Sequence, residues 1–163
     1  MDASDIDSHG LRKALGCFAT GVTVITTESN EGERVGFTAN SFTSVSLDPP
    51  IISWNYRCSA RNLNVFLETG QFAINVLAAD QQSVAQQFCA PLEDRFAGLE
   101  IRAGQSGVPL IGGCSAHFEC KTLSTVKAGD HVIFLGQVLK YQMEHKPPLV
   151  FFAGDYVQLG VTC

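Results

Sequence analysis

The chain of 163 residues lacks the motifs by which many nucleotide-binding proteins and hydrolases are identified. No Gly-x-Gly-x-x-Gly follows an apolar strand and no Gly-Lys-Ser/Thr loop is present, which excludes a Rossmann dinucleotide site and a P-loop. A Gly-x-Ser-x-Gly elbow is absent as well. The four histidines are too dispersed for a three-ligand site, so the sequence predicts no metal and no covalent nucleophile.

The chain also has little positive charge and no long apolar run. Its 11 Lys and Arg against 16 Asp and Glu give a net charge of −5, and without a basic cluster we expect no nucleic-acid binding. No stretch reaches about 18 apolar residues, so no membrane span is expected. The acidic N-terminus lacks the apolar core of a signal peptide, which favours a cytoplasmic protein.

The six cysteines do not form a recognisable framework. They are scattered, and no pair has the spacing of a zinc site or of a thioredoxin motif. In a reducing compartment they are expected to be free thiols, most of them small core residues, with Cys163 exposed at the end of the chain.

The hydrophobic pattern predicts one mainly β domain over residues 1–163. Helical spacing and capping residues predict about three helices, at residues 6–19, 61–68 and 80–88, with Ser59 and Asp80 capping the second and third. Apolar and β-branched runs predict strands at residues 22–27, 34–38, 51–56, 72–77, 115–126, 131–143, 149–152 and 155–159. Because strands follow strands through short turns, an antiparallel barrel is favoured over a doubly wound parallel sheet.

The segment of residues 36–50 is rich in small hydroxyl and amide side chains, although apolar strands flank it. It carries Thr38, Asn40, Ser41, Thr43, Ser44 and Ser46 and little charge. One interpretation is a Ser/Thr-rich edge strand with a loop. The other is a binding segment that orients a neutral or anionic ligand by hydrogen bonds.

Two further segments allow a structural and a functional interpretation. Residues 55–62 form either an ordinary strand-to-helix loop or an anion site, where the first amides of a helix are joined by Ser59, Arg61 and Asn62. The Gly129-Asp130-His131 sequence is either a simple hairpin turn or the place where Asp130 orients a functional His131.

Taken together, these segments resemble the flavin reductase-like family, whose members are NAD(P)H:flavin oxidoreductases and reductase components of two-component flavin monooxygenases. The matching motifs lie at residues 20–24, 38–50, 72–77, 129–131 and 148–152, and the resemblance spans about residues 11–159. It implies the FMN-binding split barrel, an antiparallel six-stranded split β-barrel with about three helices.

The resemblance also implies site residues and ligands. His131 would be the catalytic residue that reaches the flavin and nicotinamide, and Tyr156 and Phe96 would contact the flavin. The other implied cofactor-binding residues are Thr38, Ala39, Asn40, Ser41, Ser44, Asn55, Ser59, Arg61 and Asn62. The flavin would be FMN or FAD, and NADH or NADPH would be the co-substrate. A homodimer and a partner flavin-dependent monooxygenase are implied as well.

Two other functions are compatible with the same resemblance. One is a flavoprotein that retains its flavin and reduces another acceptor, such as a cobalt corrinoid, a ferric chelate or an aromatic compound. The other is a non-enzymatic split-barrel module that binds flavin or haem. Release of reduced flavin would separate the first from a flavin reductase, and NAD(P)H oxidation would separate the second.

Overall fold

The structure, a computed structural model, describes residues 6–160, so the N-terminal residues used to assess a signal peptide and Cys163 lie outside it. The described part contains three helices: α1 (Ser8–Gly16), α2 (Leu63–Thr69) and α3 (Gln82–Cys89). The strands are β1 (Thr20–Gly21), β2 (Thr23–Glu28), β3 (Arg34–Ala39), β4 (Thr43–Leu47), β5 (Pro50–Arg57), β6 (Gln71–Val76), β7 (Ile101–Ala103), β8 (Pro109–Ile111), β9 (Ala116–Ala128), β10 (His131–Met143), β11 (Val150–Phe152) and β12 (Asp155–Val157).

The fold class predicted from the sequence is confirmed. The main sheet is antiparallel throughout, in the order β3-β2-β6-β9-β10-β5-β4, and smaller sheets are formed by β1-β11-β12 and β7-β8. The main sheet has seven strands rather than six because β4, from the Ser/Thr-rich segment, pairs along the outer edge of β5.

The main sheet rolls up so that β3, at one edge, lies over β5 near the other edge. The ring of Phe37 on β3 stacks on Tyr56 of β5, with 3.9 Å between ring centroids. Inside the roll, Trp54 is fully buried and stacks on Phe134 at 4.1 Å, with Phe66 and other aromatic rings around them. This aromatic core explains why a sheet with open edges forms a barrel-like body.

A second core lies under α3, on the outer side of β2. Val24, Leu77, Ala85 and Phe88 are buried there, together with Phe96 from the loop that follows α3. The close approach of α3 to β3 depends on Gly36, because a Cβ at that position would press into the Phe88 ring.

The long hairpin of β9 and β10 carries the Gly129-Asp130-His131 turn. Gly129 has a φ of 59°, the left-handed conformation that glycine adopts without steric cost. The turn is fastened to the end of β5, since the Cys58 amide donates to the Asp130 carbonyl at 2.8 Å. His131 therefore begins β10 directly opposite Arg57, the last residue of β5.

Both helix caps predicted from the sequence are wrong. α2 begins at Leu63 with Asn62 at the N-cap, so Ser59 lies outside the helix. α3 begins after Gln81, so Asp80 is not its cap. The Gln81 side chain accepts from the Ala78 amide at 3.0 Å and donates to the Gly112 carbonyl at 2.8 Å, which fixes the start of α3 by tertiary contacts.

The contact between Gly136 of β10 and the Phe72 ring gives a stability prediction. A Cβ at Gly136 would overlap the tip of the Phe72 ring, which the surrounding core prevents from moving. We expect Gly136→Ala to lower the free energy of unfolding by about 1–3 kcal/mol, measured by urea denaturation.

The matched control is Gly21→Ala, because a Cβ at Gly21 has no neighbouring atom within 4 Å. This variant should unfold within about 0.5 kcal/mol of the unmodified protein. Equal effects of the two substitutions would contradict the packing argument.

Candidate functional site

A cavity of about 630 Å³ opens where β3 lies over β5 and the β9–β10 turn. This volume is in the usual range of small-molecule sites, roughly 300–1,000 Å³. It is lined by Phe37, Thr38, Ala39, Asn40, Ser41, Asn55, Tyr56, Arg57, Ala60, Ala128, His131 and Ile133. The cavity thus brings the Ser/Thr-rich segment, the end of β5 and the Gly-Asp-His turn together, although they are far apart in the sequence.

Hydrogen bonds hold the lining backbone in place before any ligand arrives. The Ser41 hydroxyl accepts from the Asn55 amide at 3.0 Å and lies 3.4 Å from the Asn55 carbonyl. The Thr38 hydroxyl donates to the Ala85 carbonyl of α3 at 2.7 Å. Both hydroxyls are engaged in the protein itself, so these two residues shape the site and offer backbone groups to a ligand.

The polar side chains of the lining are of two kinds, neutral amides and groups that can carry positive charge. Asn40 and Asn55 are exposed and carry neutral amides, each with donor and acceptor atoms. His131 and Arg57 supply an imidazole and a guanidinium. Phe37 and Tyr56 add an apolar aromatic wall.

The His131 ring is oriented by its sequence neighbour. Its Nδ1 donates to Asp130 Oδ1 at 2.7 Å, which leaves Nε2 as the nitrogen that can meet a ligand. The hydrogen bond and the charge of His131 hold the pKa of the Asp130 carboxyl below its usual value, with a smaller contribution from Arg57. Asp130 therefore stays ionised, and able to accept this bond, at more acidic pH than an ordinary aspartate.

Tyr156 lies in a smaller cavity next to the first. This cavity of about 170 Å³ is mostly apolar and shares Thr38, Ala39 and Asn40 with the larger one. Its other walls are Val22, Cys89, Phe151 and Tyr156. Burial raises the pKa of the Tyr156 hydroxyl, so Tyr156 stays protonated and can donate a hydrogen bond at neutral pH.

Five of the residues predicted from the sequence lie outside both cavities. Ser44 pairs with Ile52 on the exposed edge strand β4. The segment after β5 contains Ser59, Arg61 and Asn62, and none of the three lines the larger cavity. α2 begins at Leu63, four residues after Ser59, so Ser59 is not its cap. A role of these four residues in binding stays a prediction, because none of them lines a cavity within the single chain.

Phe96, the fifth, is 8% exposed and packs edge-on against Phe88 with centroids 5.0 Å apart. It lines a groove near Glu33 and Asp94 instead. The neighbouring Arg95 donates to the carbonyls of Ala90 and Gly36, so this loop serves to fasten β3.

Six residues that line the larger cavity were not among the predicted site residues: Phe37, Tyr56, Arg57, Ala60, Ala128 and Ile133. Tyr56 and Arg57 lie within residues 55–62, the segment for which an anion site is one interpretation, but that interpretation names other residues of the segment as the donors. Their role follows from the register of β5 and β10, which places Arg57 opposite His131 and Tyr56 opposite Val132. The anion-site interpretation indicates the segment, and the pairing of β5 with β10 indicates which of its residues face the cavity.

The residues of the larger cavity fit the flavin that the family resemblance implies. A flavin has a flat apolar ring with a polar edge of carbonyl and N–H groups, and a tail that carries phosphate. The aromatic wall, the neutral amides of Asn40 and Asn55, and the cationic side at Arg57 match these three parts in chemistry.

In the part of the chain that the structure describes, no group of three or more His, Cys, Asp or Glu side chains is placed to hold a metal ion. No helix between residues 6 and 160 has both the length and the apolar character needed to cross a membrane.

Comparison with known proteins gives consistent matches. Residues 15–160 match the model of the flavin reductase like domain. The chain is 43% identical over 146 residues to the reductase component of the flavin-dependent trigonelline monooxygenase of Acinetobacter baylyi, covering 90% of this chain and 47% of that protein. It is 41% identical over 150 residues to the FMN reductase (NADH) SmoA of Agrobacterium fabrum, covering 92% of this chain and 85% of that protein.

A solved structure agrees. The NADH:FAD oxidoreductase SgcE6 of Streptomyces globisporus, in complex with NAD and FAD fragments, superposes with a TM-score of 0.91 at 36% identity. The match covers 99% of this chain and 96% of that one. By contrast, the chain spans about half the length of the Acinetobacter relative. From the domain match and these similarities together, we conclude that the chain belongs to the flavin reductase-like family.

Proposed function

We propose that this protein is an NADH-dependent flavin reductase that supplies reduced flavin to a partner flavin-dependent monooxygenase. The observation that carries the proposal is the cavity in which Asn40, Asn55 and His131 meet around an aromatic wall. The names of relatives support it, since they include an NADH-dependent FMN reductase, an NADH:FAD oxidoreductase and a monooxygenase reductase component.

In this function, bound flavin accepts a hydride from the nicotinamide and becomes the reduced carrier. The chain itself binds and orients. The amides of Asn40 and Asn55 supply donors and acceptors to a polar ring edge, and the bond between Ser41 and Asn55 fixes the spacing of the segments that carry them. Since hydride transfer depends on close and correct stacking, holding two flat rings in register is the main task of such a site.

His131 has a separate role in the proposal. With Nδ1 bonded to Asp130, its Nε2 can donate to negative charge that develops on the ligand during reduction. Asp130 keeps the ring in one orientation by accepting from its Nδ1. His131 is thus proposed as the catalytic residue, and Asp130 as the residue that positions it.

The proposal includes a homodimer in the cytoplasm. α1 has an apolar face of Leu11 and Leu15, extended by Phe18, yet none of its residues is buried in its own chain. A short helix rarely holds without packing of its apolar face, and a second copy of the chain would supply that packing. The five described cysteines are free thiols, which is typical of a reducing compartment.

The direct test is anaerobic mixing of the protein with excess FMN or FAD and either NADH or NADPH, followed by flavin absorbance. We expect many turnovers of flavin bleaching, faster with NADH. Bleaching of only one flavin per chain would favour an enzyme that retains its flavin. No NAD(P)H oxidation despite flavin binding would leave a binding module.

Replacing His131 should slow turnover more than it weakens flavin binding. For His131→Ala we expect kcat to fall by about 100-fold, because a donor to developing charge is lost. Asp130→Asn should give a smaller loss, about tenfold, since the amide oxygen can still accept from Nδ1 but the carboxylate charge is lost. Steady-state kinetics and flavin titration measure both effects.

The control for these variants is His145→Ala, because His145 is exposed and lies outside both cavities. Its kinetics should match those of the unmodified protein. The loss in Asp130→Asn should extend to acidic pH, since the lowered pKa keeps the native carboxylate ionised there. Unchanged kcat in His131→Ala would remove His131 from the mechanism.

The proposed dimer predicts that sedimentation will give twice the chain mass of 17.5 kDa. Leu15→Asp places a charge on the apolar face of α1, where Leu15 is 66% exposed in the single chain, and should yield monomers. Lys13→Gln alters the opposite side of the same helix and should leave the dimer intact. Dimers that survive Leu15→Asp would show that another surface forms the interface.

A further inference from the structure

We propose that Arg95 is a positioning residue of the larger cavity, because its guanidinium holds β3 from outside and keeps Phe37 stacked on Tyr56. Arg95 lies outside the walls of both cavities, so its action on a ligand is through β3. The inference rests on the proposed function for the identity of the ligand, a flavin. It assigns to the loop after α3 a role in binding and turnover that goes beyond completing the core.

β3 is the part of the cavity wall with the least support inside the sheet. Among the strands that the structure describes, it stands first in the order of the main sheet and pairs with β2 alone. An edge strand lacks the second row of ladder hydrogen bonds that holds a central strand. β3 nevertheless supplies Phe37, Thr38 and Ala39 to the wall and continues into Asn40 and Ser41. A sideways shift of β3 would therefore displace five wall residues together.

The side chain of Arg95 supplies a lateral link to β3. Its Nη1 donates to the Gly36 carbonyl at 3.1 Å, one residue before Phe37, and its Nε donates to the Ala90 carbonyl at 3.0 Å, directly after α3. Because the guanidinium is planar and rigid, two bonds to two carbonyls fix the separation of β3 from the end of α3. Hydrogen bonds from a charged donor are also stronger than those between neutral groups.

Arg95 extends from a loop that is itself fixed. The Gln87 side chain on α3 donates from Nε2 to the carbonyls of Arg95 at 2.8 Å and of Ala97 at 3.0 Å. The Asp94 carboxylate accepts from the Phe96 amide at 2.8 Å, and the Phe96 ring is buried in the second core. The guanidinium therefore acts on β3 from a rigid support.

Arg95 also acts electrostatically on the ring with which Phe37 stacks. Burial raises the pKa of the Tyr56 hydroxyl, and the positive charge of Arg95 opposes that rise, so the guanidinium lies within electrostatic reach of the phenol. The ring centroids of Phe37 and Tyr56 are 3.9 Å apart, and the rings are 17° from parallel. One side chain is thus bonded to the strand of one ring and influences the hydroxyl of the other.

An arginine near a nucleotide site could instead bind a phosphate, and the two roles make different predictions. Two of the N–H groups of Arg95 already donate to backbone carbonyls, and its side chain lies outside the cavity wall. FMN and riboflavin share the ring system and differ in the phosphate. Loss of a positioning residue weakens both ligands equally, whereas loss of a phosphate ligand weakens FMN alone.

The test is calorimetric titration of the full chain with FMN and with riboflavin, together with anaerobic stopped-flow reduction by NADH at saturating flavin. For Arg95→Ala we expect the Kd of both flavins to rise about tenfold and hydride transfer to slow about tenfold, because a displaced wall misaligns the stacked rings. Methylguanidinium should restore part of both losses, since it can occupy the vacated space and bridge the two carbonyls. Methylammonium should not.

Arg95→Lys is the second variant, because it keeps the charge and the aliphatic stem but lacks the planar fork. We expect a loss smaller than that of Arg95→Ala and no recovery with methylguanidinium. Circular dichroism and thermal unfolding show whether each variant is folded. If Arg95→Ala does not fold, Arg95→Lys decides, and unchanged Kd values in that variant would overturn the proposal.

Arg102→Gln is the matched control, because Arg102 is an exposed arginine of β7 that lines neither cavity. It should leave both Kd values and the rate unchanged. Weakening of FMN with riboflavin unaffected in Arg95→Ala would overturn the proposal and indicate a phosphate contact. Unchanged affinity and rate in the folded variant, or a loss that methylguanidinium does not relieve, would overturn it as well.

Failure of this inference is distinct from failure of the proposed function. Turnover of flavin with NADH that Arg95→Ala leaves unaltered would overturn the role of Arg95 and keep the reductase. Binding of FMN and riboflavin that depends on Arg95, without NADH oxidation, would keep the role of Arg95 in binding and overturn the reductase.

Discussion

The contact of β3 with β5 is the constraint on which the rest of the structure depends. Four strands separate them in the sheet order, yet Phe37 stacks on Tyr56 and Ser41 bonds to the Asn55 backbone. These contacts roll the sheet, enclose the aromatic core around Trp54 and create the cavity at the seam. The same pair of rings is thus the edge of the core and the wall of the site, which couples folding to binding.

The sequence predicts the elements of this fold well because most of them are encoded locally. The β10 strand at His131–Met143 has the predicted bounds, and the mainly antiparallel class follows from strands joined by short turns. The cap predicted for α3 is wrong, because the start of that helix is fixed by contacts of Gln81 with Ala78 and Gly112 rather than by a local capping motif. Tertiary contacts of this kind leave no pattern in the local sequence.

The same distinction between local patterns and tertiary contacts applies to the site residues. Thr38 to Ser41, Asn55 and His131 were found from composition and family resemblance, and all line the larger cavity. Arg57 lies in the segment of residues 55–62 with the anion-site interpretation, but only its pairing with His131 across the sheet shows that it lines the cavity. Phe96 was assigned to the site for its aromatic ring, but the ring is used to complete the core against Phe88. Residue type indicated the chemistry, and only strand register indicated which side chains share a cavity.

Many side chains of the cavity are held by the protein, and this has a consequence for catalysis. The hydroxyls of Thr38 and Ser41 and the Nδ1 of His131 are bonded to the chain or to a neighbouring side chain. Little reorganisation of these side chains is then needed when a ligand enters. More of the binding free energy can therefore hold two rings in stacking contact. A site of this kind needs few reactive side chains, because the hydride passes directly between its ligands. That is why the wall consists mainly of neutral, fixed groups, and Arg57 is its one permanently charged residue among those described.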